Sequence, residues 1–129
     1  MSKCCGQGDV LLFACSGGSN VGQIANDASK ALDQLGQGNF FCLIGIGAGI
    51  GPIVERTKKD GTTIVAIDGC NVACAKKALA NIGVTPDVYV DVTALGIEKG
   101  HHFNHTPDEV GQTAQAVVEA LHSTPCCQQ

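Results

Sequence analysis

Cys70 and Cys74 stand four residues apart in the segment Asp68-Gly69-Cys70-Asn71-Val72-Ala73-Cys74, directly after the apolar run Thr62-Thr63-Ile64-Val65-Ala66-Ile67. A strand feeding a helix through a turn is where α/β proteins place chemistry. Two thiols at a helix start share one face, and the positive end of the helix dipole favours their thiolates. Such a pair suits a soft metal ion or redox work. Asp68 reads either as a cap accepting backbone N–H bonds at the start of the helix, or as a functional carboxylate that supports the thiols from behind or acts as an acid-base group.

Further thiols fall at comparable places. Cys15 ends the apolar run Val10–Ala14, and Cys42 lies in Phe40–Ile44. Cys4-Cys5 and Cys126-Cys127 sit near the two ends, completing eight cysteines in 129 residues. The first residues hold no charged start leading into an apolar stretch with a small-residue cleavage site, so the chain reads as cytoplasmic with reduced thiols. In that compartment dense cysteines serve metal binding or catalysis more often than disulfide stapling.

Eight basic against twelve acidic residues leave a formal net charge of −4. Nucleic-acid or anionic-membrane surfaces need clustered Lys and Arg, so neither is expected as a partner. The uncharged stretch from Gln37 to Val54 holds five glycines and a proline. It reads as a strand and a glycine loop rather than a membrane span.

The elements that must position these thiols alternate along the chain. Val10–Ala14 is a central strand, and Val21, Ile24, Ala25, Ala28, Leu32 and Leu35 recur at helical spacing until Gly36. Phe40–Ile44 is a second strand; Pro52 opens a short helix with Ile53, Val54 and Thr57, ended by Gly61. Thr62–Ile67 is a third strand, followed by a helix with Val72, Ala75, Ala78, Leu79 and Ile82 inward and Gly83 at its end. Val88–Val92 alternates like an outer strand. Thr106-Pro107-Asp108-Glu109 is a capping box launching a last helix with Val110, Ala114, Val117, Val118 and Leu121 inward.

Four strand-helix units predict a single-domain, three-layer α/β sandwich with a four-stranded parallel sheet, Rossmann-like, in the flavodoxin-like order 2-1-3-4. The domain spans residues 10–122, between flexible cysteine-bearing ends at 1–9 and 123–129. In that order the loops after the first and third strands flank the switch point. Strands about 4.8 Å apart let Cys15 and Cys70 share an ion with bonds of about 2.3 Å, with Cys74 one turn beyond. Cys42 must reach across from the neighbouring strand.

With these elements in place, four segments match one family in order and spacing. They are Phe13-Ala14-Cys15-Ser16-Gly17-Gly18-Ser19-Asn20-Val21-Gly22-Gln23, Phe41-Cys42-Leu43-Ile44-Gly45-Ile46-Gly47, Ala66-Ile67-Asp68-Gly69-Cys70 with Cys74-Ala75-Lys76-Lys77, and Asp91-Val92-Thr93-Ala94-Leu95-Gly96-Ile97-Glu98-Lys99. From Val10 to Lys99 the chain resembles the small prokaryotic proteins named for their Asp-Gly-Cys motif, the DGC domain. The resemblance implies a zinc site of four cysteines, Cys15, Cys42, Cys70 and Cys74, and implies no reaction. The terminal cysteines and the histidines lie outside the matched pattern.

Other features carry weaker chemistry. The loop from Cys15 to Asn20 could cradle an anion on backbone N–H groups. It is also similar to the cysteine-nucleophile loops of low-molecular-weight phosphatases and arsenate reductases, but the arginine that would clamp a phosphoryl group is Val21 here. Gly45, Gly47, Gly49 and Gly51 suggest close backbone approach around a thiolate cluster. His101, His102 and His105 precede the capping box and read as an exposed loop with an accessory site at most. The terminal cysteine pairs read as exposed thiols or as ion collectors.

Two functions follow from these residues. One is a metal binder with a structural, carrier or sensing role; four thiolates suit zinc first, then other thiophilic metals or an iron-sulfur centre. The other is a cysteine-nucleophile enzyme of thiol, sulfur or arsenical chemistry using Cys15 or Cys70. No histidine lies near either loop in sequence to serve as a base, which favours binding.

Overall fold

A computed structural model describes residues 9–123. Its four strands, β1 (Val10–Ala14), β2 (Asn39–Phe40), β3 (Thr63–Asp68) and β4 (Val88–Asp91), form one parallel sheet in the order β2-β1-β3-β4. That is the doubly wound order expected from the alternating pattern, so the loops after β1 and β3 flank the point where the chain reverses its winding. Both central strands are apolar because helices cover both of their faces. All six residues of β3 are buried.

The period-2 alternation of the strands divides the core in two. On one side Leu12, Ala14, Val65 and Ile67 pack against α1 (Asn20–Gln34) and α5 (Pro107–His122). On the other side Leu11, Phe13, Ile64 and Ala66 pack against α2 (Leu43–Gly47), α3 (Gly51–Thr57) and α4 (Cys74–Ala80). A 3-10 turn, Val92–Leu95, follows β4.

The caps explain where the helices begin. The Ser19 hydroxyl accepts from Gly22 N at 3.1 Å, and Thr106 and Glu109 form the complete capping box at α5. Gly36, Gly61 and Gly83 take positive φ at the turns where the glycines stood as stop signals. Leu35, counted with the buried face of α1, is instead its C-cap residue and 69% exposed.

The segment after β1 departs most from expectation. The second strand is two residues long, and Cys42, placed inside a strand by its apolar neighbours, is the N-cap of α2. A short apolar run has no period that separates strand from helix. The glycines decide it: a Cβ on Gly45 would collide with Ile53 of α3, at 3.1 Å from its Cγ2 among other atoms, so this residue lets α2 and α3 close on each other. Gly47 lies within α2 and Gly49 turns the chain at φ 69° before Gly51 begins α3. The expected glycine loop around a thiolate cluster is therefore mostly helix.

Candidate functional site

The Asp-Gly-Cys motif ends β3, and each residue has a separate physical task. Asp68 is 1% exposed. One carboxylate oxygen accepts from Ala75 N at 2.8 Å, and the other from Lys76 N at 3.1 Å and the Tyr89 hydroxyl at 2.9 Å. It is the cap of α4 supplied from a distance. The residue in the N-cap position, Ala73, has left-handed backbone (φ 59°) and no side chain to cap with. Burial and the Asp68 carboxylate both push the Tyr89 hydroxyl pKa up, so Tyr89 stays a donor. Lys76 sits over the Tyr89 ring, 4.8 Å from its centroid.

Gly69 is the residue that allows close approach. A Cβ there would stand 2.7 Å from Gly22 N and 2.8 Å from the Val21 carbonyl carbon, against the first turn of α1. Its N–H donates to Cys15 Sγ at 3.3 Å, and its carbonyl accepts from Thr93 N at 3.2 Å. The end of β3 thus joins β1, α1 and the 3-10 turn through one glycine.

The four inner cysteines are all free thiols, and the sheet divides them. Cys15, Cys42 and Cys74 line one open cleft of about 530 Å³ at the C-terminal edge of the sheet, walled by Phe40, Phe41, Leu43, Ile44 and Ala78. Phe41 is fixed by an edge-on contact with Phe13, 5.8 Å between centroids. Cys70 does not line this cleft. It packs with Cys15 against the core on the α1 and α5 side, and Lys99 Nζ donates to its sulfur at 3.4 Å. Nor do Cys70 and Cys74 share a helical face, since α4 begins at Cys74 and Cys70 lies in the preceding turn, its carbonyl accepting from Ala73 N at 3.1 Å.

Lys99 is held by a residue that no spacing singled out. Asn20, 3% exposed, donates from Nδ2 to the Glu98 carbonyl at 2.9 Å and accepts at Oδ1 from Gly100 N at 2.7 Å. These bonds tie the start of α1 to the strap that carries Lys99.

Burial pushes the Cys15 thiol pKa up, as do the Asp68 carboxylate and Cys74, while the N–H groups of Gly17 and Gly69 oppose them. That direction works against Cys15 as a standing thiolate nucleophile. Cys42 Sγ accepts from Gly45 N at 3.3 Å.

The donor chemistry fits a thiophilic ion: three soft sulfurs share a cleft and a fourth lies over the strand end. The spacing does not close a shell, because among the described residues no three His, Cys, Asp or Glu side chains stand near enough to hold one ion. Cys4, Cys5, Cys126 and Cys127 lie outside the described residues.

Among the histidines, His101 and His102 are exposed as expected. His105 is not: its Nε2 lies 2.8 Å from Asp27 on α1, and its Nδ1 is buried without a hydrogen-bond partner among the described residues. Val21, where a phosphate-clamping arginine would stand, is fully buried.

The family model for the DGC domain matches residues 11–117, which takes in the Asp-Gly-Cys motif, the cleft and the strap. The chain belongs to the DGC-domain family. It is 37% identical over 89 residues to the anaerobic and virulence modulator AnvM of Pseudomonas aeruginosa, a stretch covering 69% of this chain and 67% of that one. No solved structure matches. Among the described residues of this DGC-domain chain, no helix is long and apolar enough to cross a membrane.

Proposed function

We propose that this protein binds a thiophilic metal ion, zinc first, through Cys15, Cys42 and Cys74 in the cleft, with Cys70 as a fourth donor at the end of β3, a shell that closes only as the sulfurs draw together on the ion. The observation that carries this reading is that cysteines from three separate strand-helix units line one cleft. Asp68 supports the site by holding the start of α4, and with it Cys74, in place. An iron-sulfur centre or another soft metal suits the same donors.

A bound zinc ion would be redox-silent and would link three units of the fold. Its role would be structural, carrier or sensing. The name of the Pseudomonas relative, a modulator, supports sensing. The reading includes a cytoplasmic protein that takes a metal ion as partner and no nucleic acid.

The test is elemental analysis of protein purified without added metal. About one ion per chain is expected, lost in Cys74→Ser and Cys15→Ser, and retained when Cys4, Cys5, Cys126 and Cys127 are all replaced by serine. Chelation should lower the melting temperature, since released ligands no longer link the units. Full occupancy in Cys74→Ser would sink the reading.

The cysteine-nucleophile alternative has one observation in its favour, the open apolar cleft beside Cys15. Against it stand the raised pKa of that thiol and the buried Val21. Rapid alkylation of Cys15 at pH below about 7, where an ordinary thiol is protonated, would put the enzyme reading first.

A further inference from the structure

The cleft is larger than an ion needs. Metal–sulfur bonds of about 2.3 Å place a bare ion and its thiolates in a small part of a 530 Å³ space. That volume lies in the range of small-molecule pockets, about 300–1,000 Å³, which are apolar with a few convergent functional groups. Here the walls are Phe40, Phe41, Leu43, Ile44 and Ala78, and among the described residues no Asp, Glu, Lys, Arg or His lines the cleft. The fourth thiol, Cys70, lies outside it beside Lys99.

Charge narrows the occupant further. A divalent ion on three thiolates keeps a net negative charge, which apolar walls without a cation disfavour. A trivalent arsenic centre carrying one carbon substituent and bound to two thiolates is neutral. Its organic group would fill the space that a bare ion leaves empty.

We infer that the cleft binds organic derivatives of thiophilic elements, of the class of monosubstituted trivalent arsenicals, on Cys15 and Cys74, with the organic group against Phe41, Leu43 and Ile44. The inference rests on these cysteines being a ligand site, as proposed above, but not on zinc being the ligand. Binding is a substitution without redox change. Two arsenic–sulfur bonds form and two arsenic–oxygen bonds of the arsonous acid break; each thiol proton leaves with a hydroxide as water, and arsenic remains trivalent.

The experiment uses the full chain with Cys4, Cys5, Cys126 and Cys127 replaced by serine, because adjacent terminal thiols would bind the probe themselves. Phenylarsonous acid is the probe and inorganic arsenite the unsubstituted comparison; intact mass and free-thiol counts are the readouts. One phenylarsenic group per chain is expected, with two thiols consumed and phenyl bound at least tenfold more tightly than arsenite.

Cys74→Ser, at an exposed position, and Cys15→Ser should each abolish the adduct, while Cys70→Ser keeps it. Ile44→Ser, replacing a side chain 78% exposed at the cleft, should reduce the preference for phenyl severalfold with circular dichroism unchanged. An adduct that survives Cys74→Ser, or equal binding of phenylarsonous acid and arsenite, would overturn the inference. Zinc uptake with no arsenical adduct in the metal-free protein also overturns it and leaves the metal reading standing. An adduct in a protein that takes up no zinc does the reverse.

Discussion

Replacing Asp68 by alanine removes the acceptor for three donors at once, and the structure allows the cost to be worked donor by donor. Ala75 N belongs to a fully buried residue at the start of α4, so losing its 2.8 Å bond leaves a buried N–H unpaired, costing about 2 kcal/mol. Lys76 N and the Tyr89 hydroxyl are partly exposed and can turn to water, so each loses about 0.5 kcal/mol. The sum, about 3 kcal/mol, exceeds the roughly 1 kcal/mol of an ordinary N-cap because of the burial. In a chain of this length it corresponds to a melting temperature about 10 °C lower. Asp68→Asn keeps one acceptor oxygen and should cost about half as much. Urea unfolding followed by far-ultraviolet circular dichroism measures both. The Asn variant also removes a negative charge that raises the Cys15 pKa, so Cys15 should alkylate at lower pH than in the parent. A loss below about 1 kcal/mol in Asp68→Ala would refute the reasoning, because α4 would then hold its first turn without this cap.

Three further outcomes follow from the same geometry. Gly69→Ala should destabilise by about 3 kcal/mol in the same unfolding assay, because the added carbon meets the backbone of Val21 and Gly22, which cannot turn aside as a side chain can. Asn20→Ala should cost about 2 kcal/mol and speed hydrogen exchange at Gly100 N, whose acceptor it removes. The Cys15 pKa is raised above 9.0 in the folded protein, so its contribution to stability is full below that value and is lost as pH rises past it. In a Tyr89→Phe background, which removes the other group raised by burial, Cys15→Ala should flatten the alkaline fall in stability measured by urea unfolding at stepped pH.

What the sequence by itself determined is local or periodic. The apolar runs at 10–14 and 63–67, the capping box at Thr106 and the glycine stops at 36, 61 and 83 each depend on near neighbours along the chain. The winding rules for parallel strands then favoured the order 2-1-3-4 among a few, and the sheet has that order. The motif segments marked the family for the same reason, since they are strings of adjacent residues.

Only the tertiary structure decided how the chemistry is divided. Cys42 became a helix cap because Gly45 and Ile53 close α2 on α3, a contact across eight residues that no short window contains. Asp68 proved to be the cap of a helix that starts six residues later, across the left-handed Ala73. Cys70 and Cys74 parted because the turn between them ends at the start of α4, leaving one sulfur beside Lys99 and the other in the cleft with Cys15 and Cys42. Spacing along a chain sets which thiols can meet; the side of the sheet on which each emerges is fixed by packing between distant segments, and that decides which ones do.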